Sequence, residues 1–216
     1  MRTEEEQVEA IKSWWKENGR STVIGVVIAV VAVFGWRGWQ DHQVNTANNA
    51  SALYQTLVNQ ASAQQGQTLS DEQRKSASFI ANQLKTDYES SSYAQYAALW
   101  LAKLAAEQGQ VDQAKTELNW VLQQEPEAAV AQVVNMRLAQ LMLASGEAEA
   151  ALKQLGNTAA SGFEAGFYEL RGDLLVSLGR HDEARKAYQS GLDANTDNAR
   201  PLIALKLDDL TEQSTN

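Results

Sequence analysis

The chain of 216 residues has no cysteine, only two prolines and only two histidines. Because it has no cysteine it forms no disulfide, and packing alone must hold together any exported part. Neither His42 nor His181 has a second histidine or a cysteine at metal-ligand spacing, so the sequence predicts no zinc site. So few prolines are typical of long helices joined by short turns.

The sequence also lacks the motifs that usually carry catalysis. Its glycines are isolated rather than grouped in a phosphate-binding loop, and no serine lies in a nucleophile-elbow pattern. The carboxylates lie beside lysine and arginine, which is typical of solvated helix faces. We therefore expect no catalytic residue, no cofactor and no metal, and we expect the protein not to be an enzyme. The enzymatic alternative, an envelope hydrolase, lacks a nucleophile.

Basic residues are outnumbered, and the imbalance belongs to the larger, C-terminal part of the chain. The formal net charge is −9. Residues 42–216 hold 13 Lys and Arg against 21 Asp and Glu, a difference of −8. Nucleic acids and anionic lipid surfaces both attract basic faces, so we expect no nucleic-acid partner and no attachment of this part to anionic lipid.

One stretch, residues 21–40, is long and apolar enough to cross a bilayer. It carries no charge from Ser21 to Trp36. A helix rises about 1.5 Å per residue, so about 20 residues span the hydrocarbon core. The stretch ends in Trp and Arg rather than at a small-residue cleavage site, which favours an uncleaved signal anchor over a removed signal peptide. A buried core helix is the alternative, although core helices seldom stay apolar on all sides for this length.

The flanks of the span predict its orientation. Four of the six tryptophans bracket it, as is typical of a membrane interface: Trp14, Trp15, Trp36 and Trp39. The basic residues before it are Arg2, Lys12, Lys16 and Arg20, whereas only Arg37 follows before Arg74. Because cytoplasmic flanks are richer in Lys and Arg, we expect residues 1–20 in the cytoplasm and the rest of the chain outside it.

One face of the span carries small residues at helical spacing: Ser21, Gly25, Ala29 and Ala32. Such spacing lets a second membrane helix approach closely. Glycine and alanine are also common in membrane helices generally, so both interpretations stay open.

Helices are predicted on either side of the span. A short one covers residues 4–18 and ends at Asn18-Gly19, a common C-terminal signal. Residues 41–92 form a first, membrane-proximal helix pair, whose first helix continues from the span and whose second begins at Ser70-Asp71-Glu72.

Beyond Ser92 the chain repeats. Gly109, Gly146 and Gly179 each follow one predicted helix and precede another, at intervals of 37 and 33 residues. Seven residues before each glycine is a small residue (Ala102, Ala139, Gly172), five after it is alanine (Ala114, Ala151, Ala184), and four later is a large residue (Leu118, Leu155, Tyr188). The pattern resembles the tetratricopeptide repeat, a helix–turn–helix unit of about 34 residues.

The repeat pattern has a packing explanation. The small residues lie where two helices cross closest, and each glycine supplies a positive φ at the turn. The pattern predicts repeats over 93–128, 130–161 and 165–196, and a capping helix over 199–211. Asn135 and Arg171 depart from it, because they replace expected apolar residues.

In tetratricopeptide stacks the first helix of each pair lines a concave groove, which would bind an extended or helical segment of another protein. Carrying that alignment over predicts a groove formed by Tyr96, Leu99, Lys103, Val133, Met136, Gln140, Leu143, Glu169, Asp173, Val176, Leu202 and Lys206. Several of these residues could instead pack against the next repeat. For Leu99 and Leu143 the two interpretations, groove lining and packing, are equally favoured.

Several short runs resemble a known family. They are Gln7-Val8-Glu9-Ala10, Glu17-Asn18-Gly19, Gly35-Trp36-Arg37-Gly38-Trp39, His42-Gln43-Val44 and Leu170-Arg171-Gly172-Asp173. The chain is similar in these runs to the YfgM family of bacterial inner-membrane proteins, over essentially its whole length. The resemblance implies an all-α protein with a cytoplasmic N-terminus, one transmembrane helix in the inner membrane and a periplasmic tetratricopeptide-like domain.

The resemblance also implies a function. The family is an ancillary subunit of the SecYEG translocon, associates with the membrane-anchored periplasmic chaperone PpiD, and is linked to the handling of exported proteins. The expected partners are therefore the translocon, PpiD, exported proteins and membrane lipid. The alternative is a membrane-anchored scaffold that regulates a stress response through its cytoplasmic N-terminal segment.

Overall fold

The computed structural model describes residues 4–61, 69–195 and 201–213, in which nine helices and no strand occur. The predicted all-α class is confirmed. The helices are α1 (Glu4–Ala61), α2 (Asp71–Asp87), α3 (Ser92–Glu107), α4 (Val111–Gln123), α5 (Ala128–Ala144), α6 (Ala148–Leu155), α7 (Glu164–Ser177), α8 (His181–Ala194) and α9 (Leu202–Gln213). The first residues of the predicted 199–211 helix lie outside the described ranges.

The chain divides into two compact units, Met1–Asn49 and Ala50–Asn216. Within the first unit, α1 continues through the point where a helix end was predicted. The Asn18-Gly19 prediction is therefore wrong. The Asn18 side chain donates to the Trp14 carbonyl inside the helix, and the Ser21 and Thr22 hydroxyls donate to the Asn18 carbonyl, each at 2.9 Å.

Continuing the helix through a glycine costs about 1 kcal/mol in water. In a bilayer, an interrupted helix would expose unpaired backbone groups at several kcal/mol each. Gly19 is also buried under Trp15, whose ring atoms lie 3.3 Å from the position that a Cβ would take. The cost of glycine is thus smaller than the cost of stopping so close to an apolar segment.

The apolar part of α1 is exposed along its length. Among the described residues, α1 alone is a helix long and apolar enough to cross a membrane by length and composition, and its most apolar window is only 6% buried. Large side chains along it are about half exposed or more, and Ile28, Val31 and Phe34 are exposed at 63%, 66% and 67%. A core helix would bury such residues, so the alternative of a buried core helix does not hold within this chain.

The second unit is a stack of helices in which α2 packs on α3, α3 on α4, α5 on α6 and α7 on α8. Its first helix start is well defined, because Ser70 accepts from the Gln73 N–H while the Gln73 side chain accepts from the Ser70 N–H. This capping box satisfies two donors that a helix N-terminus otherwise leaves unpaired. The predicted start at Ser70-Asp71-Glu72 is confirmed.

The three repeat turns share one geometry. At the turn after α7, Gly179 has φ +71° and donates to the Val176 carbonyl, while Arg180 donates to the Leu175 carbonyl at 2.9 Å. This is the Schellman arrangement, which needs a residue with positive φ. The same pair of bonds occurs after α3 and α5 around Gly109 and Gly146, so the predicted role of these glycines is confirmed.

Small residues permit the close crossing of paired helices. Ala102 is buried in one cluster with Leu118, and Ala139 in another with Leu155. In the third pair, Gly172 replaces the alanine. A Cβ there would lie 2.3 Å from the Tyr188 ring, so the larger aromatic partner requires the smaller residue.

The polar residues that depart from the repeat pattern form hydrogen bonds with α6 and with the loop that follows it. Asn135 accepts from Gln154 at 2.8 Å, and Arg171 donates to the Gly156 carbonyl at 3.0 Å. The buried Gln132 accepts from the Ala160 N–H at 3.0 Å. The Arg171 and Gln132 bonds satisfy backbone groups of the connection between α6 and α7, which has no helix of its own.

We expect Gly172→Ala to lower the free energy of unfolding by about 1–2 kcal/mol. Overpacking against the ring costs about 1–3 kcal/mol, which exceeds the gain of about 1 kcal/mol from replacing a helical glycine. The measurement is urea unfolding of the full chain in detergent, with circular dichroism as the signal that monitors loss of helix.

The control is the same substitution in a Tyr188→Leu background, which recreates the Ala139–Leu155 combination of the second repeat. There the alanine is expected to cost little or to stabilise. An equal loss in both backgrounds would show that contact with the Tyr188 ring is not the reason for glycine at 172.

Candidate binding groove

A cavity of about 590 Å³ opens on the second unit between α3 and α5, with the last turns of α1 at one end. Five of the residues predicted to line a groove do line it: Tyr96, Leu99, Lys103, Val133 and Gln140. Its volume is in the range of small-molecule and cofactor sites, about 300–1,000 Å³.

The cavity has an apolar floor and a polar rim. The floor consists of the half-buried side chains of Tyr96, Leu99, Trp100, Val133 and Leu141, together with the buried Ala102 and Leu118. The exposed rim residues are Lys103, Ala106, Glu107, Arg137 and Gln140. An apolar centre surrounded by polar groups is the usual anatomy of a protein–protein contact.

The rings of Tyr54 and Tyr96 form one wall of the cavity, and Tyr93, which does not line the cavity, packs against both. Tyr54 lies 5.5 Å from Tyr93 and 5.8 Å from Tyr96 between ring centroids, and Tyr93 meets Tyr96 edge-on. Such pairs are worth about 0.5–1.5 kcal/mol beyond the area they bury. They hold the tyrosines in place, so this wall is present before any ligand arrives.

The two cations of the rim are held differently. The Lys103 ammonium lies 4.7 Å from the centre of the Trp100 ring and 3.7 Å from the Glu107 carboxylate. Arg137 donates to the Gln140 amide oxygen at 3.0 Å. In the part of the chain that the structure describes, no carboxylate forms a salt bridge with Arg137.

The other predicted groove residues lie elsewhere. Met136 and Leu143 are half-buried against the cluster that contains Ala139 and Leu155. Val176 is half-buried against the cluster that contains Tyr188 and Ile203. Leu202 is 58% exposed on α9. The remaining three, Glu169, Asp173 and Lys206, contact one another rather than the cavity.

Lys206 joins α9 to α7. Its ammonium donates to Glu169 at 2.9 Å and to both Asp173 oxygens at 2.8 Å, and the Tyr188 hydroxyl donates to Asp173 at 2.7 Å. Burial alone would lower the pKa of Lys206, but the hydrogen bonds to Asp173 and Glu169 outweigh it and raise that pKa above its ordinary value. Burial and the bond to Asp173 likewise raise the pKa of Tyr188.

Several cavity residues were missed at the sequence level. Trp100 and Arg137 are one turn beyond the predicted Tyr96 and Val133, so helical spacing alone would have found them. Tyr54 had no such signal, because it comes from α1, outside the repeats. It joins the cavity only through tertiary packing.

The small residues of the span, Ser21, Gly25, Ala29 and Ala32, are all exposed. Nothing lies within 4 Å of a Cβ built on Gly25. Within the described ranges, no three His, Asp or Glu side chains are grouped so as to hold a metal ion.

Comparison with known proteins gives the family. The tetratricopeptide repeat-like domain family matches residues 12–212. A Haemophilus influenzae protein named ancillary SecYEG translocon subunit is 31% identical over 210 residues, which are 96% of this chain and 97% of that protein. A protein of the same name from Escherichia coli K12 is 30% identical over 209 residues, with the same coverage.

The chain belongs to the YfgM family. The resemblance seen in the short motifs is thus confirmed, as is the tetratricopeptide-like fold of the C-terminal part. A solved structure titled MamA RS-1 ArsTM double mutant matches at a TM-score of 0.51 with 14% identity, covering 78% of this chain and 96% of that one. At that identity it supports the fold alone.

We expect Lys206→Met to lower the free energy of unfolding by about 1–2 kcal/mol at pH 7, because hydrogen bonds to charged groups are worth about 1.5–3 kcal/mol and this site is partly exposed. Since the folded-state pKa of Lys206 is raised, its contribution is full below the unfolded pKa of about 10.4. The stabilising contribution of Lys206 disappears as the pH rises through its folded-state pKa.

The difference in free energy of unfolding between wild type and Lys206→Met, measured with urea, should therefore be constant from about pH 6 to 9. It should decrease above about pH 10.5. Lys186→Met, on the exposed face of α8, is the control and should change stability by less than about 0.5 kcal/mol. Equal losses for the two variants would contradict a specific role of the Lys206 cluster.

Proposed function

We propose that the protein is a membrane-anchored, non-enzymatic accessory subunit of the Sec translocon. The observation that carries this proposal is similarity over nearly the full length of two proteins named for that role. Because 96% of this chain is matched, the similarity includes the apolar helix as well as the repeats and is not confined to the repeat fold.

The anchor is α1, which we propose crosses the bacterial inner membrane once with the N-terminus in the cytoplasm. Its exposed apolar segment, the tryptophans at both ends and the excess of basic residues before it support this orientation. The exposed small-residue face at Gly25 is where another membrane helix would pack, and the translocon is the proposed source of that helix.

The repeats are the recognition part. On this proposal the stack lies in the periplasm, and the groove between α3 and α5 docks the chaperone PpiD and contacts exported proteins. The apolar floor and polar rim support binding of a protein segment. Family membership and the repeat fold support recognition rather than catalysis as the function.

The proposal is tested by placing a photo-crosslinking amino acid at single positions of the full chain in native membranes. At Ile28, next to the small-residue face, we expect adducts with channel subunits. At Gln140, on the groove rim, we expect adducts with the chaperone or with exported chains. Lys186, exposed on α8 away from the groove, is the matched control and should give neither. Adducts with none of these proteins at Ile28 and Gln140 would contradict the proposed function.

A further inference from the structure

We propose that the α3–α5 groove selects an amphipathic helix that presents a carboxylate to Arg137. This inference rests on the proposed function, in which the groove binds another protein. It adds the chemistry of the segment that is recognised.

The lining of the groove extends over about two to three helical turns of α3 and α5. On α3 its lining runs from Tyr96 to Glu107, and on α5 from Val133 to Leu141. At 1.5 Å per residue these stretches span about 12–17 Å. A ligand helix of two to three turns, with apolar residues at i, i+3 or i+4 and i+7, matches that length.

A helix suits this site better than an extended strand does. The groove is walled by helices, whose backbone groups are already paired within α3 and α5. An extended segment would place its own N–H and C=O groups against an apolar floor without partners, at about 1–3 kcal/mol each. A helical segment satisfies its backbone internally and presents only side chains to the floor.

Arg137 gives the groove its charge preference. Three other described arginines, Arg74, Arg180 and Arg185, each pair with a carboxylate three residues away in the sequence. Among the residues that the structure describes, Arg137 donates only to the Gln140 amide, which leaves most of its five N–H donors available at the rim. Within the described ranges, the charged residues that line the cavity are Lys103, Glu107 and Arg137, two cations and one anion.

The preference for a carboxylate is centred on Arg137, because the other cation of the rim is already engaged. Lys103 already lies beside Glu107 and over Trp100, so it offers less to a ligand than Arg137 does. A carboxylate placed between the floor and Arg137 gains a charge-assisted, two-pronged hydrogen bond. The net negative charge of residues 42–216 weakens non-specific binding of acidic ligands, so a local cation such as Arg137 has more influence on which ligand binds.

The test uses three fluorescent, stapled helical peptides that share one leucine stripe and differ only in Glu, Gln or Lys beside it. Binding to the full chain in lipid nanodiscs is measured by fluorescence anisotropy. We expect the Glu peptide to bind about tenfold more tightly than the Gln peptide, and the Lys peptide to bind most weakly. In Arg137→Glu the order should reverse.

Lys153→Glu is the matched control, since it makes the same charge reversal on an exposed residue of α6 outside the groove. It should leave the order of the three peptides unchanged. Equal affinities, an order that Arg137→Glu does not alter, or no binding of any peptide would each overturn the inference. The Gln140 crosslinks in native membranes are independent of these peptides, so their persistence would then show that the proposed function stands without this selectivity.

Discussion

The second unit depends on how closely paired helices approach. Each pair leaves an apolar face that only a neighbouring helix covers, and that contact forms only where small residues let two backbones come together. Ala102, Ala139 and Gly172 occupy these crossings. Where the large partner is Tyr188 rather than leucine, even the methyl group of an alanine at position 172 would overlap the ring. The same close packing leaves one face of α3 and α5 uncovered, and that face forms the groove.

Local rules predicted much of this arrangement. The turn glycines, the start of α2 and the helical class follow from short-range geometry that each residue imposes on its own backbone. The Asn18-Gly19 pair shows where such rules fail. As a local signal it ends a helix, but next to an apolar segment the cost of exposed backbone groups exceeds the cost of a helical glycine. Whether the helix ends at Asn18-Gly19 therefore depends on the apolar surroundings of the next segment and not on the local sequence signal.

The candidate site was predicted less completely, and for a physical reason. Repeat alignment identifies the residues of first helices, such as Tyr96 and Val133, but not what packs beside them. Lys206 contacts Glu169 and Asp173 across 37 and 33 residues of sequence, and no periodic pattern contains that information. These three residues share a cluster between α7 and α9, whereas the cavity is lined by α1, α3, α4 and α5. The groove is consequently shorter than the predicted one.

The central claim is that a membrane anchor holds a stack of recognition helices at the translocon. The most direct measurement is purification of the tagged full chain from native membranes after an alkaline carbonate wash, with quantitative identification of the proteins that remain bound. The account predicts that the chain stays in the washed membrane and that channel subunits are enriched with it, in amounts comparable to its own. Release of the chain into the wash, or its recovery from the membrane without any channel subunit, would contradict the account.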